Sequence, residues 1–277
     1  MRKDLILKET CNTSPGRRAY LLYQRRRRAA IRICQFSVLL ITIVLWETLA
    51  RLGIIDSFIM SQPTRILRTI MNFRQNNLPL HIGVTFFETI IGFTAGVILG
   101  NLIALALWWS DFLAKVADPY LVVLNALPKI ALGPVIIIWV GAGMQAVIVM
   151  ALAISLVVTI LEMLSSFKNT DLELVKMAKT FGAGRMQTFI KIIFPSNLPT
   201  LFNCLKINIG LSLVGVIAGE FLVSRAGLGY LIVYGGQVFQ MDLVMTSVII
   251  LAALAAFLYR GVILLERVVM KAVSHKS

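Results

Sequence analysis

The chain has 277 residues, 58% of them hydrophobic and 14% charged, and its mean hydropathy is +0.85. Soluble domains are about 45–50% apolar and about 25% charged, so this composition excludes an ordinary soluble protein. The formal net charge of +14 does not indicate nucleic-acid binding, because the basic residues are not interleaved with aromatic residues that could stack on bases. The composition predicts an all-α, polytopic membrane helix bundle.

The N-terminal segment, residues 1–32, is a basic tail. Its arginines are Arg17, Arg18, Arg25, Arg26, Arg27, Arg28 and Arg32. They precede the apolar run 33–50, which ends at Arg51 without a small-x-small cleavage site. We therefore expect a cytoplasmic tail followed by a retained membrane span, and not a signal peptide.

Six stretches are apolar and long enough to be candidate membrane spans: 33–50, 83–109, 119–140, 143–165, 200–223 and 243–266. The third is interrupted by Pro128, Lys129 and Pro134. Together they predict a transmembrane domain over 33–270, with a short tail at 271–277.

Basic residues are distributed unequally between the segments that connect these spans. With the N-terminus inside, one side receives the tail arginines, Lys115, five basic residues of the 166–199 segment, Arg267, Lys271 and Lys276. The other side receives only Arg51, Arg65, Arg68, Arg74 and Arg225. The positive-inside rule then predicts that both termini and the 166–199 segment are cytoplasmic. On the outer side, the ILRTIMNF run (66–73) is expected to form a short interfacial helix.

Three glycines of the second span, Gly92, Gly96 and Gly100, recur at every fourth position. Such spacing lines one helix face and predicts close helix packing, either within one subunit or at a subunit interface. Ionisable residues inside spans are candidates for function. They are Glu88, Lys129, Glu162, Lys206 and Glu220. We take Pro128, Lys129 and Glu220 as candidates for the transport pathway.

Nothing in the sequence resembles an enzyme's active site. Cys11, Cys34 and Cys204 have no metal spacing, and His81 and His275 are isolated. There is no Gly-Lys pair and hence no P-loop, so the chain is not expected to bind nucleotide itself. We expect no metal and no catalytic residue.

The 166–199 segment is a charged interruption between two spans. Thr170 and Glu173 fit a capping box, which predicts a helix from there to Phe181 with Gly182 as its left-handed cap. A second helix follows, with an apolar stripe at Met186, Phe189, Ile190 and Ile193 that is expected to pack on the membrane domain and to end at Pro195.

This segment resembles the EAA loop of binding-protein-dependent ABC transporter permeases. The matching residues are Ala178-x-x-Phe181-Gly182-Ala183, Ile192-Ile193-Phe194-Pro195 and Leu198-Pro199. Three further stretches resemble the nitrate/sulfonate/taurine branch of that family: LPLHIGVTFFETIIGFTAGVILG (78–100), NALPKIALGPVIIIWVGAG (125–143) and GVIAGEFLVSRAGLGYLI (215–232). The resemblance covers about residues 57–270.

The resemblance implies the type I permease fold of ABC importers. It implies that the loop couples the chain to a cytoplasmic ATPase through Lys176, Ala178, Lys179, Phe181, Gly182, Ala183, Arg185 and Pro195. The partner ATPase would bind ATP and Mg²⁺, and this chain would hold no cofactor. The other partners would be a second, identical permease subunit, a substrate-binding protein outside the cell, and membrane lipid. The cargo would be a small anion such as a sulfonate, taurine or nitrate, carried across a bacterial cytoplasmic membrane.

The chain departs from the family pattern at several positions. Lys176 replaces the glutamate for which the loop is named, Met177 and Phe194 differ as well, and Glu88 stands where relatives commonly carry a basic residue. Two alternatives stay open from the sequence. One is an ATP-independent secondary transporter or channel, which the broken third span favours. The other is a membrane anchor for a cytosolic complex, which would explain the 166–199 segment but not the glycine-rich spans.

Overall fold

The computed structural model describes residues 15–72 and 77–274, and within these ranges it contains helices and turns but no strand. Five described helices are long and apolar enough to cross a membrane, and a bent pair can supply a sixth. The predicted all-α membrane bundle of about six spans is confirmed. Cys11, Arg74, His275 and Lys276 lie outside the described residues.

In chain order the helices are α1 (Pro15–Arg51), α2 (Ser57–Met60), α3 (Pro63–Met71), α4 (Leu78–Trp109), α5 (Asp111–Ala126), α6 (Gly133–Val140), α7 (Met144–Lys168), α8 (Leu172–Thr180), α9 (Arg185–Thr188), α10 (Phe194–Ser196), α11 (Leu198–Val223), α12 (Leu228–Gln237) and α13 (Met241–Ser274). A 3₁₀ turn (Lys129–Leu132) joins α5 to α6, and a π turn (Phe189–Ile193) joins α9 to α10. The chain divides into two compact units, Met1–Ile66 and Leu67–Ser277.

In the N-terminal unit, the described part of the basic tail and the first span form one helix. Proline is favoured in the first turn of a helix, and arginine is a good helix former, so α1 begins at Pro15 and runs without interruption to Arg51. Near its end, Glu47 forms an ion pair with Arg51 at 2.7 Å and accepts a hydrogen bond from the Thr64 N–H at 3.2 Å. The predicted helix in the ILRTIMNF run is found as α3.

The core of the larger unit is built from α4, α7 and α11. The predicted glycine stripe of α4 faces α7, where a Cβ added at each glycine would lie closer than 3.0 Å to a side chain. The facing pairs are Gly92 with Ala151, Gly96 with Ser155, and Gly100 with Thr159. In this structure the stripe therefore packs within one subunit, which allows the two helices to approach closely.

A second pair of glycines brings the α11 backbone against α7. A Cβ at Gly215 would lie 2.6 Å from the Ala151 Cα, and one at Gly219 would lie 2.9 Å from the Val147 Cα. Both sites lie against backbone atoms, which cannot move aside as the end of a flexible side chain can. Because Ala151 meets both Gly92 and Gly215, α7 is packed tightly on two sides.

The predicted break in the third span is present as a bend of 90° between α5 and the pair formed by the 3₁₀ turn and α6. Leu127, which precedes Pro128, has extended backbone dihedrals (φ −64°, ψ 136°). This is the conformation that a following proline imposes, so the sequence Leu-Pro ends α5. The amino group of Lys129 donates back to the Asn125 carbonyl at 3.2 Å.

The first half of the 166–199 segment is a short helix, α8, with a cap at each end. The predicted capping box at Thr170 is wrong by one residue: Asp171 accepts the Glu173 N–H at 2.8 Å, while the Thr170 hydroxyl donates to the Phe167 carbonyl at 3.2 Å. The predicted left-handed cap is confirmed, since Gly182 has φ +78°. Its N–H and that of the next residue donate to the carbonyls of Lys179 and Ala178, each at 3.0 Å, which is a Schellman motif.

The second half of the segment corrects the predicted apolar stripe. Phe189 and Ile193 are buried, but Met186 and Ile190 are each more than half exposed. A π turn interrupts the helix here: the Phe194 N–H bonds to the Phe189 carbonyl, five residues earlier, so the 3.6-residue period that predicts the stripe does not hold through this stretch. The helical path also continues past Pro195 to Ser196, whereas we expected the proline to end it.

Candidate translocation and coupling sites

One face of α4 carries four buried polar side chains near its N-terminal end. They follow a helical spacing and are at most 8% exposed: His81, Thr85, Glu88 and Thr89. Buried polar groups are costly unless they are hydrogen-bonded, so their partners define a site.

Glu220, near the C-terminal end of α11, is the centre of this site. It is 1% exposed, and its Oε1 accepts the Thr85 hydroxyl at 2.6 Å while its Oε2 accepts the Gly229 N–H at 2.5 Å. Gly229 lies in the first turn of α12, whose N–H groups have no partner within the helix. The carboxylate therefore caps the start of α12, where the helix dipole favours a negative charge.

The loop between α11 and α12 is fixed by two further bonds to α4. The Gly227 N–H donates to His81 Nδ1 at 2.9 Å, and the Leu228 N–H donates to Thr85 Oγ1 at 2.8 Å. Gly227 has φ +121°, and a Cβ there would meet the Glu220 carboxylate, so this position requires glycine. We call Thr85, Glu220 and the Gly227–Gly229 backbone the carboxylate clasp.

The carboxylate clasp gives a structural role to Glu220, which the sequence singles out as a pathway candidate. Its oxygens are occupied by bonds inside the protein, so in this structure it holds a loop in place. Lys129 and Pro128 lie elsewhere, at the bend between α5 and α6. The Lys129 side chain bonds to the Asn125 carbonyl near the end of α5.

Glu88 lies beside the clasp and differs from Glu220. It is 1% exposed, its carboxyl neighbours that of Glu220, and its Oε2 has no hydrogen-bond partner among the described residues. It lines a cavity of about 480 Å³, together with Gly143 and Arg225. We call this space the acid cavity. It offers a buried acceptor and an arginine to a small polar molecule or to water.

An apolar groove lies where the broken span meets α11. It has a volume of about 630 Å³, and its lining includes Ile130, Ala131 and Pro134 on one side and Val214, Ile217 and Phe221 on the other. The predicted pathway residues Pro128 and Lys129 immediately precede this lining in the chain.

Most of the predicted coupling residues lie on α8 and in the turn that follows it (181–184), which we call the α8 turn. Lys176, Lys179 and Gly182 are exposed, and Phe181 is 83% exposed. Ala178 is buried on the opposite face of α8, Ala183 is half-buried, and Pro195 is exposed on the second half of the segment. Leu172 and Met177 add at least half-exposed apolar surface on α8.

Arg185 has a different environment from the other coupling residues. Its guanidinium lies over the rings of Trp108 and Trp109, 5.6 and 5.4 Å from their centroids, and donates to the Trp108 carbonyl at 3.5 Å. Trp108 also contacts Phe189, with ring centroids 5.1 Å apart. Arg185 is thus directed at the end of α4. Sequence reasoning missed both tryptophans, although a Trp pair at a span end is typical of the membrane interface.

These features together are those of a polytopic membrane transport protein. Its apolar spans pack through glycines, it encloses buried acids and an apolar groove, and one helical segment exposes apolar side chains. The chain belongs to the family of binding-protein-dependent transport system inner membrane components, whose family model matches residues 92–275. Members of this family are the permease components of transport systems. The predicted nitrate/sulfonate/taurine branch is confirmed by relatives that transport taurine, aliphatic sulfonates and nitrate.

Three relatives cover most of the chain. A probable ABC transporter permease of Haemophilus influenzae is 28% identical, over 79% of this chain and 89% of the relative. The formylaminopyrimidine transport permease of Halalkalibacterium halodurans is 26% identical, over 69% and 76%. The taurine transport system permease of Escherichia coli is 24% identical, over 87% and 89%.

Among solved structures, the chain resembles that of the MetNI methionine ABC transporter in an inward-facing conformation, with a TM-score of 0.61. The two are 19% identical, and the match covers 68% of this chain and 94% of the other. At this identity the likeness shows the fold.

Proposed function

We propose that the chain is the permease subunit of an ATP-driven importer and that the 166–199 segment couples it to a cytoplasmic ATPase. The observation that carries this proposal is the exposed apolar surface of α8 and the α8 turn, where Phe181 is 83% and Met177 is 50% exposed. The other half of the segment is anchored on the membrane helices by Phe189 and Ile193, which are buried. An exposed apolar patch bordered by charged residues is typical of a protein–protein contact.

In this proposal the chain contributes the pathway and the partners contribute the energy. ATP and Mg²⁺ bind to the ATPase, and this chain holds no cofactor and performs no covalent chemistry. Two identical permease subunits enclose the pathway, and a binding protein delivers the cargo from outside. The inner-membrane family supports a location in a bacterial cytoplasmic membrane. The lysine and arginine distribution supports an orientation with both termini and the 166–199 segment in the cytoplasm.

Replacing Gly182 with aspartate tests the coupling role. A Cβ at Gly182 meets nothing within 4 Å, so the protein should still fold and insert. The new carboxylate would stand beside Phe181 in the proposed contact, where an unpaired buried charge is unfavourable. We expect ATP-dependent uptake to fall at least about tenfold, the equivalent of about 1.4 kcal/mol of lost docking.

Gly53→Asp is the matched control for this substitution. Gly53 also has a positive φ, +72°, and open surroundings, but it lies in the N-terminal unit. Strain at a left-handed position is therefore common to the two variants, and only Gly182→Asp should lose uptake. Normal ATP-dependent uptake by Gly182→Asp would contradict the coupling role. Uptake that persists without any ATPase would instead indicate a secondary transporter.

For the cargo we propose a small anion such as a sulfonate, taurine or nitrate. The taurine, aliphatic sulfonate and nitrate permeases among its relatives support this class. Arg225 on the acid cavity supplies a cation that could meet an anion. We expect uptake of radiolabelled taurine by cells with the complete transporter, and competition by ethanesulfonate or nitrate. If none of the three anions is transported or competes, the cargo belongs to another class, such as that of the formylaminopyrimidine relative.

A further inference from the structure

A cavity of about 480 Å³ lies at the base of the 166–199 segment, where α4, α5, α7, α8 and α9 meet. Its ionisable lining residues are three cations, Lys168, Lys179 and Arg185, and one acid, Asp111. Among the described residues, no carboxylate lies within 4 Å of Lys168 or Lys179. We call this space the basic cavity. Its excess of two positive charges favours an anion.

One of the three cations is already held in place. The Arg185 guanidinium lies over both tryptophan rings at the end of α4 and is also bonded to the Trp108 carbonyl. A cation fixed in this way loses less conformational freedom when it binds a ligand than a free side chain does. Its planar fork can also bind a phosphate through two parallel hydrogen bonds.

The depth of the basic cavity in the membrane follows from α4. This helix is a candidate span, and Trp108 and Trp109 are its last two residues. Tryptophans at the end of a span lie at the level of the lipid headgroups. The basic cavity is lined by Trp108, so it opens at the depth where phospholipid phosphates lie.

An apolar groove of about 360 Å³ borders the same aromatic cluster. Its lining includes Leu102, Leu105, Phe167, Phe189 and Phe194. Phe167 and Phe189 directly adjoin Lys168 and Thr188 of the basic cavity in the chain. Phe189 also contacts Trp108 at 5.1 Å between ring centroids. A charged space at headgroup depth thus lies next to an apolar one.

We propose that the basic cavity binds the phosphate of an anionic phospholipid, one of whose acyl chains lies in the neighbouring apolar groove. Basic pockets between membrane helices are known to bind acidic headgroups. The lipid would contact the end of α4 together with both halves of the 166–199 segment. It would therefore stabilise the junction between the membrane helices and the proposed coupling surface. The inference depends only on the membrane location of the chain, so its failure would leave the coupling proposal intact.

The test uses the full-length chain in a neutral detergent, with phosphatidylglycerol, phosphatidylcholine and glycerol phosphate as probes. We expect native mass spectrometry to show a retained phosphatidylglycerol, and thermal unfolding to shift upward with that lipid but not with phosphatidylcholine. Lys179→Gln combined with Arg185→Gln should weaken retention about tenfold or more, because two charge-assisted bonds are lost. Glycerol phosphate carries the same phosphate chemistry without acyl chains and should produce a much smaller thermal shift.

Arg267→Gln combined with Lys271→Gln is the matched control, because it removes two positive charges from exposed positions of α13. This control should keep the wild-type affinity for phosphatidylglycerol. The single variant Lys168→Gln leaves the contact of Arg185 with Trp108 and Trp109 intact. It replaces the double variant if the double variant does not fold. Equal loss of lipid in the two double variants, or no preference for phosphatidylglycerol over phosphatidylcholine, would overturn the proposal. A full thermal shift with glycerol phosphate alone would reject a lipid as the source of the anion.

Discussion

Replacing Glu220 with leucine should lower the free energy of unfolding by about 3–5 kcal/mol. The substitution removes both acceptors of the carboxylate clasp and leaves the Gly229 N–H and the Thr85 hydroxyl buried without that partner. Each buried unsatisfied donor costs about 1–3 kcal/mol, and the start of α12 also loses its capping charge. The measurement is the denaturation midpoint of the purified chain in detergent, followed by tryptophan fluorescence.

Two further variants distinguish the clasp from a general effect of losing a buried acid. Glu220→Gln keeps one acceptor oxygen and should lose less stability than the leucine variant. Thr85→Val added to Glu220→Leu should cost much less than the sum of the two single changes, because one bond is removed by both. Additive costs would show that Thr85 and Glu220 act independently, which contradicts the clasp.

Adding one methyl group at Gly215 should destabilise the protein, whereas the same change at Gly210 should not. A Cβ at Gly215 would lie 2.6 Å from the Ala151 Cα and 3.1 Å from the Met150 carbonyl oxygen. Backbone atoms cannot rotate away, so α7 and α11 must separate, at a cost of about 1–3 kcal/mol or more. Thermal unfolding of Gly215→Ala should therefore begin at a clearly lower temperature than that of the wild type.

Gly210→Ala is the matched control because it lies in the same helix and has no atom within 4 Å of the added Cβ. Alanine is a better helix former than glycine by about 0.5–1 kcal/mol, so this variant should be as stable as the wild type or slightly more stable. If both alanine variants shift the unfolding temperature equally, the close approach at Gly215 is not what stabilises the pair of helices.

The sequence was sufficient to predict the spans, the break at Pro128 and the left-handed cap at Gly182. These features depend on hydropathy, on the proline ring and on a positive φ, all of which act over a few residues. The close contact at Gly215 also had a local signal: Gly215 and Gly219 form a GxxxG pattern in α11, like the one in α4.

Other features depend on partners far away in the chain. Glu220 stood out as an ionisable residue inside a span, but its bond to Thr85 spans 135 residues, which no local pattern reports. The capping box failed because Thr170 and Asp171 both suit an N-cap, and the Thr170 hydroxyl bonds instead to the end of α7. The apolar stripe failed because a π turn changes the helical period that the prediction assumes.

The two sites described above share one helix. Near its beginning α4 holds Thr85 of the clasp, and at its end it holds Trp108 beneath Arg185. At 1.5 Å per residue these two contacts lie about 35 Å apart along a single helical rod. The glycine face between them keeps that rod packed against α7. A helix packed in this way tilts as one stiff body, so a tilt about the glycine face that displaces the end beneath Arg185 would also displace the end that carries Thr85, without a relay of side chains.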